Sequence, residues 1–447
     1  MSIEADWFLR AHPEITTIEA LLPDCNGVLR GKWIPREKLQ KVFSGEMKLP
    51  RTAMSLDIWG RDIEELAFAT GDDDGICLPI EGTLISSPWS PGGTHGQLLM
   101  SMYMPDGTPF AGDPSHVLTD VVDRFHEQGW RPVIAAELEF CLVSVEDRLP
   151  RHTCPVPDND TPVGGDSYSL EALSRHREIL DEIRHSCEVQ ELPYDGLVKE
   201  SAPSQYEINM QHIDDPLKAA RQVLMMKRLI KGIAAKHGLV ASFMAKPFTG
   251  ESGNGMHVHC SVLDKQGANI FDDGTEKGTP LLQQAIGGCL TYMADAVAVF
   301  APNYNSYRRF QKGCHAPTYP CWGYENRTVA VRVPAGHHQA RRLEHRVAGA
   351  DANPYLLFAV ILSGILEGIN ENLSPGDPVE GDGYSQQDDS LPLYMPEAVR
   401  RFRDSDFIRN SLGAEFQNIY SLSKIQEIEE FRKHVTAFEY HAFLERL

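Results

Sequence analysis

Two short runs restrict the fold of this 447-residue chain more than anything else in it. From Pro132 to Val143 the run "PVIAAELEFCLV" is apolar apart from Glu137 and Glu139, and from Gly255 to Leu263 the run "GMHVHCSVL" carries His257 and His259 at the same spacing. A two-residue period sends alternate side chains to opposite faces of a strand, so each run reads as a strand with one face to bury and one face bearing ionisable groups. A single Glu-x-Glu pair is usually a solvated strand surface, and a single histidine is more often a satisfied core or surface residue than a ligand. Here the pattern recurs. Glu207 lies in "SQYEINM" (204 to 210), Glu344 in "RLEHRV" (342 to 347), and Glu200 in the short segment "YDGLVKES". Clustered carboxylates raise one another's pKa unless a cation sits among them. Carboxylates with a histidine therefore point to hard divalent cations, because Mg2+ and Mn2+ take oxygen ligands and Mn2+ tolerates imidazole. Zinc is disfavoured by the lack of nearby thiolates.

A second constellation has the opposite charge. Between Arg308 and Arg346 lie seven arginines (308, 309, 327, 332, 341, 342, 346) and Lys312, against only Glu325 and Glu344. The chain as a whole carries 63 acidic and 42 basic side chains, a net charge of −21. That balance argues against nucleic acid or an anionic membrane as a main partner, and it makes a local cationic block informative. A solvated or subunit-contact face is the plain alternative. Guanidinium groups grip carboxylate and phosphate in bidentate fashion, however, and Arg332 sits in the apolar run "TVAVRV" (328 to 333), while Arg342, Glu344 and Arg346 share one strand face. Beside metal ligands, such a block suggests phosphoryl transfer.

Up to about Met104 the chain reads as short β-like runs broken by "PDCNG", "GDDDG" and "SPGG", which predicts a small strand-rich domain over 1–105. The turn-rich "MPDGTPFAGDP" leads into the second domain, 106–447, where helices and strands alternate. Asp113 with Pro114 and Gly129 brackets one helix, and Asp215 with Pro216 and Gly238 brackets another. Helices are expected from about Pro396 to the end, and an exposed loop over 375–389. The N-terminus has acids where a signal peptide would have bases, and the most apolar stretch, Pro354 to Ile369, is interrupted by Ser363, Gly364 and Glu367, so no membrane segment is expected. Nine cysteines without a CxxC pair suggest neither a disulfide framework nor a zinc cage, and a reducing cytoplasm is the expected location.

No Walker A motif, dinucleotide GxGxxG or GxSxG elbow is present. Gly253 and Gly255 in "ESGNGMH" could let backbone approach a ligand, or form a plain turn. At this point the residues resemble a known family. "KPFTGESGNGMHVHCS" (246 to 261) is similar to the ATP-region signature of glutamine synthetases, and "AAELEF", "KESAPSQYE", "NSYRRF", "ENRTVAVRVP" and "ARRLEHRVAGADANPY" follow in that family's order over almost the whole chain. The resemblance implies an α+β fold, with a small N-terminal β-grasp domain and a large catalytic domain built on a curved antiparallel sheet with flanking helices. It implies ATP as co-substrate and two or three Mg2+ (or Mn2+) ions per site. Glu139, Glu200 and Glu207 would hold one metal, and Glu137, His257 and Glu344 another, with Glu207 also near ATP. Arg309, Arg346 and Gly253 would bind glutamate. Arg327, Arg332 and Arg342 would steady ATP and the transferring phosphoryl group, with Ser261 near the nucleotide. Asp24, reaching from a neighbouring subunit, would help form the amine site of a homo-oligomeric ring, a dodecamer.

Departures from the family bear on the substrate. Where ammonia-using members carry a glutamate after the "NSYRR" segment, this chain has His315 in "KGCHAPT". "TYPCWGYENRTVAVRV" and "PDCNGVLRGKWIP" resemble the branch that makes γ-glutamyl derivatives of polyamines and other amines. The expected activity is ATP-dependent ligation of the glutamate γ-carboxylate to an organic amine or polyamine through γ-glutamyl phosphate. An ordinary ammonia-using synthetase and a non-catalytic nucleotide- or amine-binding regulator are the alternatives. Trp59, Trp322 and Tyr324 could line an amine pocket or be plain core aromatics. "SLDIWG", Ser252 and Gln339 are smaller departures near the site.

Overall fold

The computed structural model describes residues 2–153, 166–311, 313–385 and 390–447. Lys312 of the cationic block, and 386–389 of the expected loop, lie outside the described residues. Among the described residues the chain forms two sheets, each with its own apolar core.

The first sheet orders its strands as Leu29–Pro35, Thr17–Pro23, His95–Tyr103, Asp74–Pro79 and Lys48–Pro50, with Ile85–Ser86 also paired to His95–Tyr103. Thr17–Pro23 and His95–Tyr103 run parallel and the other pairs antiparallel. Both of these central strands are buried along nearly their whole length, and their apolar side chains pack with Phe8, Leu39 and Met54. Phe8 comes from a helix, Ile3–Ala11, that the β-like reading of this region passes over. Ser2 caps it by accepting from the Ala5 amide, but only Ala5 and Phe8 are buried, too few to leave a helical period in the sequence.

The second sheet carries the polar runs. Its order is Trp322–Tyr324, Val331–Val333, Leu343–His345, Met256–Leu263, Arg131–Glu146, Gln205–Met210 and Tyr194–Lys199, with Val240–Ser242 and Leu149–His152 also paired to Arg131–Glu146. All its pairs are antiparallel except Trp322–Tyr324 with Val331–Val333. Every strand expected between 132 and 347 is present, although those expected over 239–245, 328–333 and 342–347 are reduced to three residues each. One face of this sheet is the core. Ala136, Leu138, Phe140, Tyr206, Ile208, Met256, Val258 and Cys260 are buried there, against helices Pro114–Glu127 and Pro216–Lys236.

Those helices begin where their caps predict. The Asp113 carboxylate accepts from the Ser115 amide at 2.8 Å, and that of Asp215 from the Lys218 amide at 2.9 Å. Helix Pro354–Asn370 is buried at every residue except Glu367 and Asn370, so its apolar run is a core element. Among the described residues no helix is long and apolar enough to cross a membrane. The C-terminal segment is helical over Met395–Asp404, Asp406–Leu412, Ala414–Lys433 and Ala437–Phe443.

Candidate active site

Strand register assembles the site. In an antiparallel pair, residues directly opposite one another point to the same face. Glu139 is opposite Glu207, Glu137 lies between Asn209 and His257, His259 is opposite Glu344, and Glu344 is opposite Arg332. The period of two puts Ser261, opposite Val133, further along the same face. One side of the sheet therefore carries the ionisable residues of five strands, while the alternate residues form the core.

The side chains close into a network. His257 Nδ1 is 3.1 Å from Glu137 Oε2, and His259 Nε2 is 2.9 Å from Glu137 Oε1. Arg332 donates to Glu344 Oε2 at 2.8 Å, Arg346 donates to Glu344 Oε1, and Arg342 Nε lies 3.1 Å from His259 Nδ1. Glu139 accepts from the Gly255 amide at 2.6 Å and from Gln205 at 3.2 Å, and Asn209 donates to Glu207 at 2.9 Å. Burial works to raise the Glu137 carboxyl, but His257 and His259 outweigh it and hold it well below the usual range. Glu344 is likewise held down against burial, by Arg346 and His257. Glu207 and Glu200 go the other way. Burial, reinforced by the neighbouring carboxylates, pushes Glu207 up to about 9 and Glu200 up to about 7.

Carboxylates that remain protonated for want of positive charge mark a place that suits a cation. Ligand atoms of Glu137, Glu207 and His257 lie within 4.8 Å of one another, as do those of Glu137, His259 and Glu344. These oxygen and imidazole donors fit Mg2+ or Mn2+. The groups cut across the sets expected from the sequence, since Glu137 joins Glu207 and His259 joins Glu344. His259 shows in the sequence as the partner of His257 but has no role assigned there. Gln205 and Asn209, which orient two of the carboxylates, give no sequence signal beyond sharing a strand with Glu207.

The network floors a cleft of about 1530 Å³. Glu137, Glu139, Glu200, Glu207, His257, Ser261, Gly253, Arg309, His315, Arg327, Arg342 and Arg346 all line it, as do Ser252 and Gln339. Arg309 and Arg346 are buried, and the Nε of each lacks a hydrogen-bond partner, which suits an incoming anion. Burial lowers the Arg309 pKa. Gly253 is more than a turn residue. A Cβ there would come within 2.3 Å of the Ala245 carbonyl oxygen and 2.9 Å of Arg309 Cγ, so only glycine permits this approach. His315 is exposed, with a left-handed backbone (φ 56°), and its ring stacks with that of Tyr384 at 6.5 Å.

Some expected residues lie elsewhere. Asp24 is fully buried away from the cleft, accepting from the Asn26 and Val28 amides and, at 2.8 Å, from Arg30 Nε. Within its own subunit its carboxylate organises the loop that carries it. Trp59, Trp322 and Tyr324 do not line the cleft. Arg61 lies over Trp59, Trp322 donates to the Gly376 carbonyl, and Tyr324 bonds with Gln283 and Lys277. Among the described residues the tyrosines that line the cleft are Tyr168 and Tyr384. Within the arginine block, Arg341 turns away to the Thr275 carbonyl and Arg308 is exposed outside the cleft.

Residues 111–443 match the family described as glutamine synthetase, catalytic domain. The chain is 37% identical over 441 residues to the gamma-glutamylputrescine synthetase PuuA of Escherichia coli (strain K12), covering 98% of this chain and 93% of that protein. It is 31% identical over 454 residues to a glutamate–isopropylamine ligase of a Pseudomonas species, covering 98% and 96%. Among solved structures, the complex titled "GmaS/ADP complex-Conformation 1" superposes with a TM-score of 0.87 at 27% identity over the whole of both chains. The sheet face, its register and these likenesses agree, and the chain belongs to the glutamine synthetase family.

Proposed function

We propose that this protein is an ATP-dependent glutamate–amine ligase, joining the γ-carboxylate of glutamate to an organic amine and releasing ADP and phosphate. The observation that carries the reading is a single sheet face combining carboxylate and imidazole donors with arginines, in a cleft that His315 also lines. Similarity to a putrescine-using and an isopropylamine-using ligase supports the acceptor class.

In this reading Arg309, Arg346 and the Gly253 backbone bind glutamate, while Arg327, Arg332 and Arg342 meet the phosphate oxygens of ATP. The γ-carboxylate oxygen attacks the terminal phosphorus, ADP leaves, and the acyl phosphate becomes the electrophile that the carboxylate was not. The amine nitrogen then attacks the acyl carbon and phosphate departs. Glu137, Glu139, Glu200, Glu207, His257 and Glu344 are assigned to two or three divalent ions, and His259 adds a further donor. When bound, such ions neutralise charge on the phosphate oxygens. The ammonium form of the substrate must first lose a proton, and we assign its acceptance to His315, which is exposed in the cleft.

We assign residues 1–105 to an N-terminal β-grasp domain and 106–447 to the catalytic domain, a division supported by separate sheets and separate cores. A dodecameric ring and a cytoplasmic location complete the proposal. Incubating the protein with glutamate, ATP, Mg2+ and a panel of amines including ammonium tests it. Turnover with diamines or alkylamines is expected. Turnover with ammonium alone would establish the second reading, an ordinary glutamine synthetase, favoured by 30% identity to the glutamine synthetase of Methanosarcina mazei. Phosphate release with any amine rules out a purely regulatory role.

A further inference from the structure

Two loops bound the cleft near Arg309: the turn that carries Gly253, and the segment after Arg309 that carries His315. One side chain joins them. Lys246, at the start of the turn, is over nine-tenths buried, and its Nζ donates to the Glu251 carbonyl on its own turn. The same nitrogen lies 3.0 Å from Cys314 Sγ, on the opposite loop. Lys246 is also tied by its backbone. Its amide donates to Asn305 Oδ1 at 2.9 Å, and its carbonyl accepts from Asn305 Nδ2 at 2.9 Å, just ahead of the turn Ser306–Arg309.

Among the described residues no carboxylate lies within ion-pair distance of Lys246 Nζ. A buried ammonium needs acceptors, and a carbonyl with a polarisable sulfur is the set it has. Cys314 is also distinct among the cysteines. It alone of those described lines the cleft and touches a cationic nitrogen. Immediately after Cys314 comes His315, which has a left-handed backbone and lines the cleft. The position of Sγ therefore limits where the imidazole can be.

We propose that Lys246 and Cys314 form a positioning pair, a strut that fixes the spacing between the glutamate-binding turn and the acceptor loop and so sets the apparent affinity for the amine. Neither residue touches the reacting atoms. The inference rests on the ligase reading and deepens it, by tying amine recognition to a contact outside the amine's own reach.

The test is steady-state kinetics of the full-length protein with each substrate varied in turn, for wild type, Cys314→Ala, Cys314→Ser and Lys246→Met. Cys314→Ala is expected to raise KM for the amine about tenfold while leaving KM for ATP within about twofold, a split that a general folding defect would not give. Cys314→Ser, whose hydroxyl can still accept from Lys246, should recover most of that loss, and Lys246→Met should resemble Cys314→Ala. If Lys246→Met fails to fold, the two Cys314 variants decide alone. Brief exposure of wild type to methyl methanethiosulfonate, which caps the thiol as a mixed disulfide and releases methanesulfinate, should raise the same KM and be reversed by dithiothreitol. Cys314→Ser should resist it. Unchanged amine KM in a folded Cys314→Ala, or an equal change in all three KM values, overturns the strut. Wild type lacking ligase activity with every amine would instead overturn the ligase reading, so the two failures are distinguishable.

Discussion

The two faces of the large sheet are made by the same strands and obey opposite economies. On one face Leu138, Phe140, Ile208 and Val258 are fully buried against helices, and each contributes to folding by leaving water. On the other, one residue along each strand, Glu139, Glu207, His257 and Glu344 are buried and Glu137 is half-buried, all as ionisable groups. Some are matched, as Glu344 is by Arg332 and Arg346, and some are not, as the raised Glu207 and Glu200 show. The apolar face holds the fold. The polar face draws on that stability to keep charges together in a geometry that solvent would not tolerate.

That contrast can be broken from either side. The largest effect is expected from the polar face on activity alone. Arg342→Ala should lower kcat by roughly 10³-fold, the scale of an arginine that stabilises a transferring phosphoryl group, with little change in melting temperature, because Arg342 is half-buried at the cleft wall and contacts a histidine ring rather than a buried carboxylate. Phosphate release at saturating substrates measures it. On the apolar face, Leu138→Ala should cost about 2–5 kcal/mol in urea unfolding, because it empties a close-packed core. A comparable loss from a polar-face truncation, or none from Leu138→Ala, would erase the distinction between the faces.

Next comes the response to metal. Mg2+ at about 100 times its dissociation constant should stabilise the protein by ~2.7 kcal/mol. Glu207→Gln should reduce that response while making the metal-free protein more stable near pH 7, since it removes a carboxyl the fold must hold neutral. Loss of metal-free stability in Glu207→Gln would show that the carboxyl is an ordinary packing group.

pH sharpens the same point. A carboxyl whose pKa is raised on folding holds its proton in the folded state where the unfolded chain has released it. The associated stability is present in full below the unfolded value near 4.5 and is lost as pH rises through the folded value. For Glu200 that window closes at about 7 and for Glu207 at about 9. Metal-free stability should therefore decline with rising pH across this range, by up to ~1.4 kcal/mol per pH unit for each proton involved, while metal affinity rises. Chemical unfolding and metal titrations between pH 5 and 9 check both signs. The smallest effect is expected at the end of a helix that packs on the apolar face. Asp215→Ala should cost about 1 kcal/mol of stability, through loss of the cap on the Lys218 amide, and leave kcat unchanged.

Local rules made much of this legible. Alternation in "AAELEF" and "GMHVHCS" identified both strands and both faces, and Asp-Pro pairs marked the helix starts, because strand period and capping act over two to four residues. The same rules missed helix Ile3–Ala11, where two buried residues leave too faint a period. They carry no sign of the Arg30 guanidinium and the two amides that Asp24 engages. Tyr384 reaches the cleft from a stretch with no regular pattern at all.

By itself the sequence determined the period of each strand, hence which side chains share a face, and the charge of the segments that follow. Only the tertiary structure decided which strand lies beside which and in what register. Glu137 meets His257 across 120 residues of chain, and Lys246 meets Cys314 across 68. The physical reason is range. A period is set by bonds along the backbone, whereas register depends on how the whole apolar face packs, and the ionisable face takes the alignment that packing imposes.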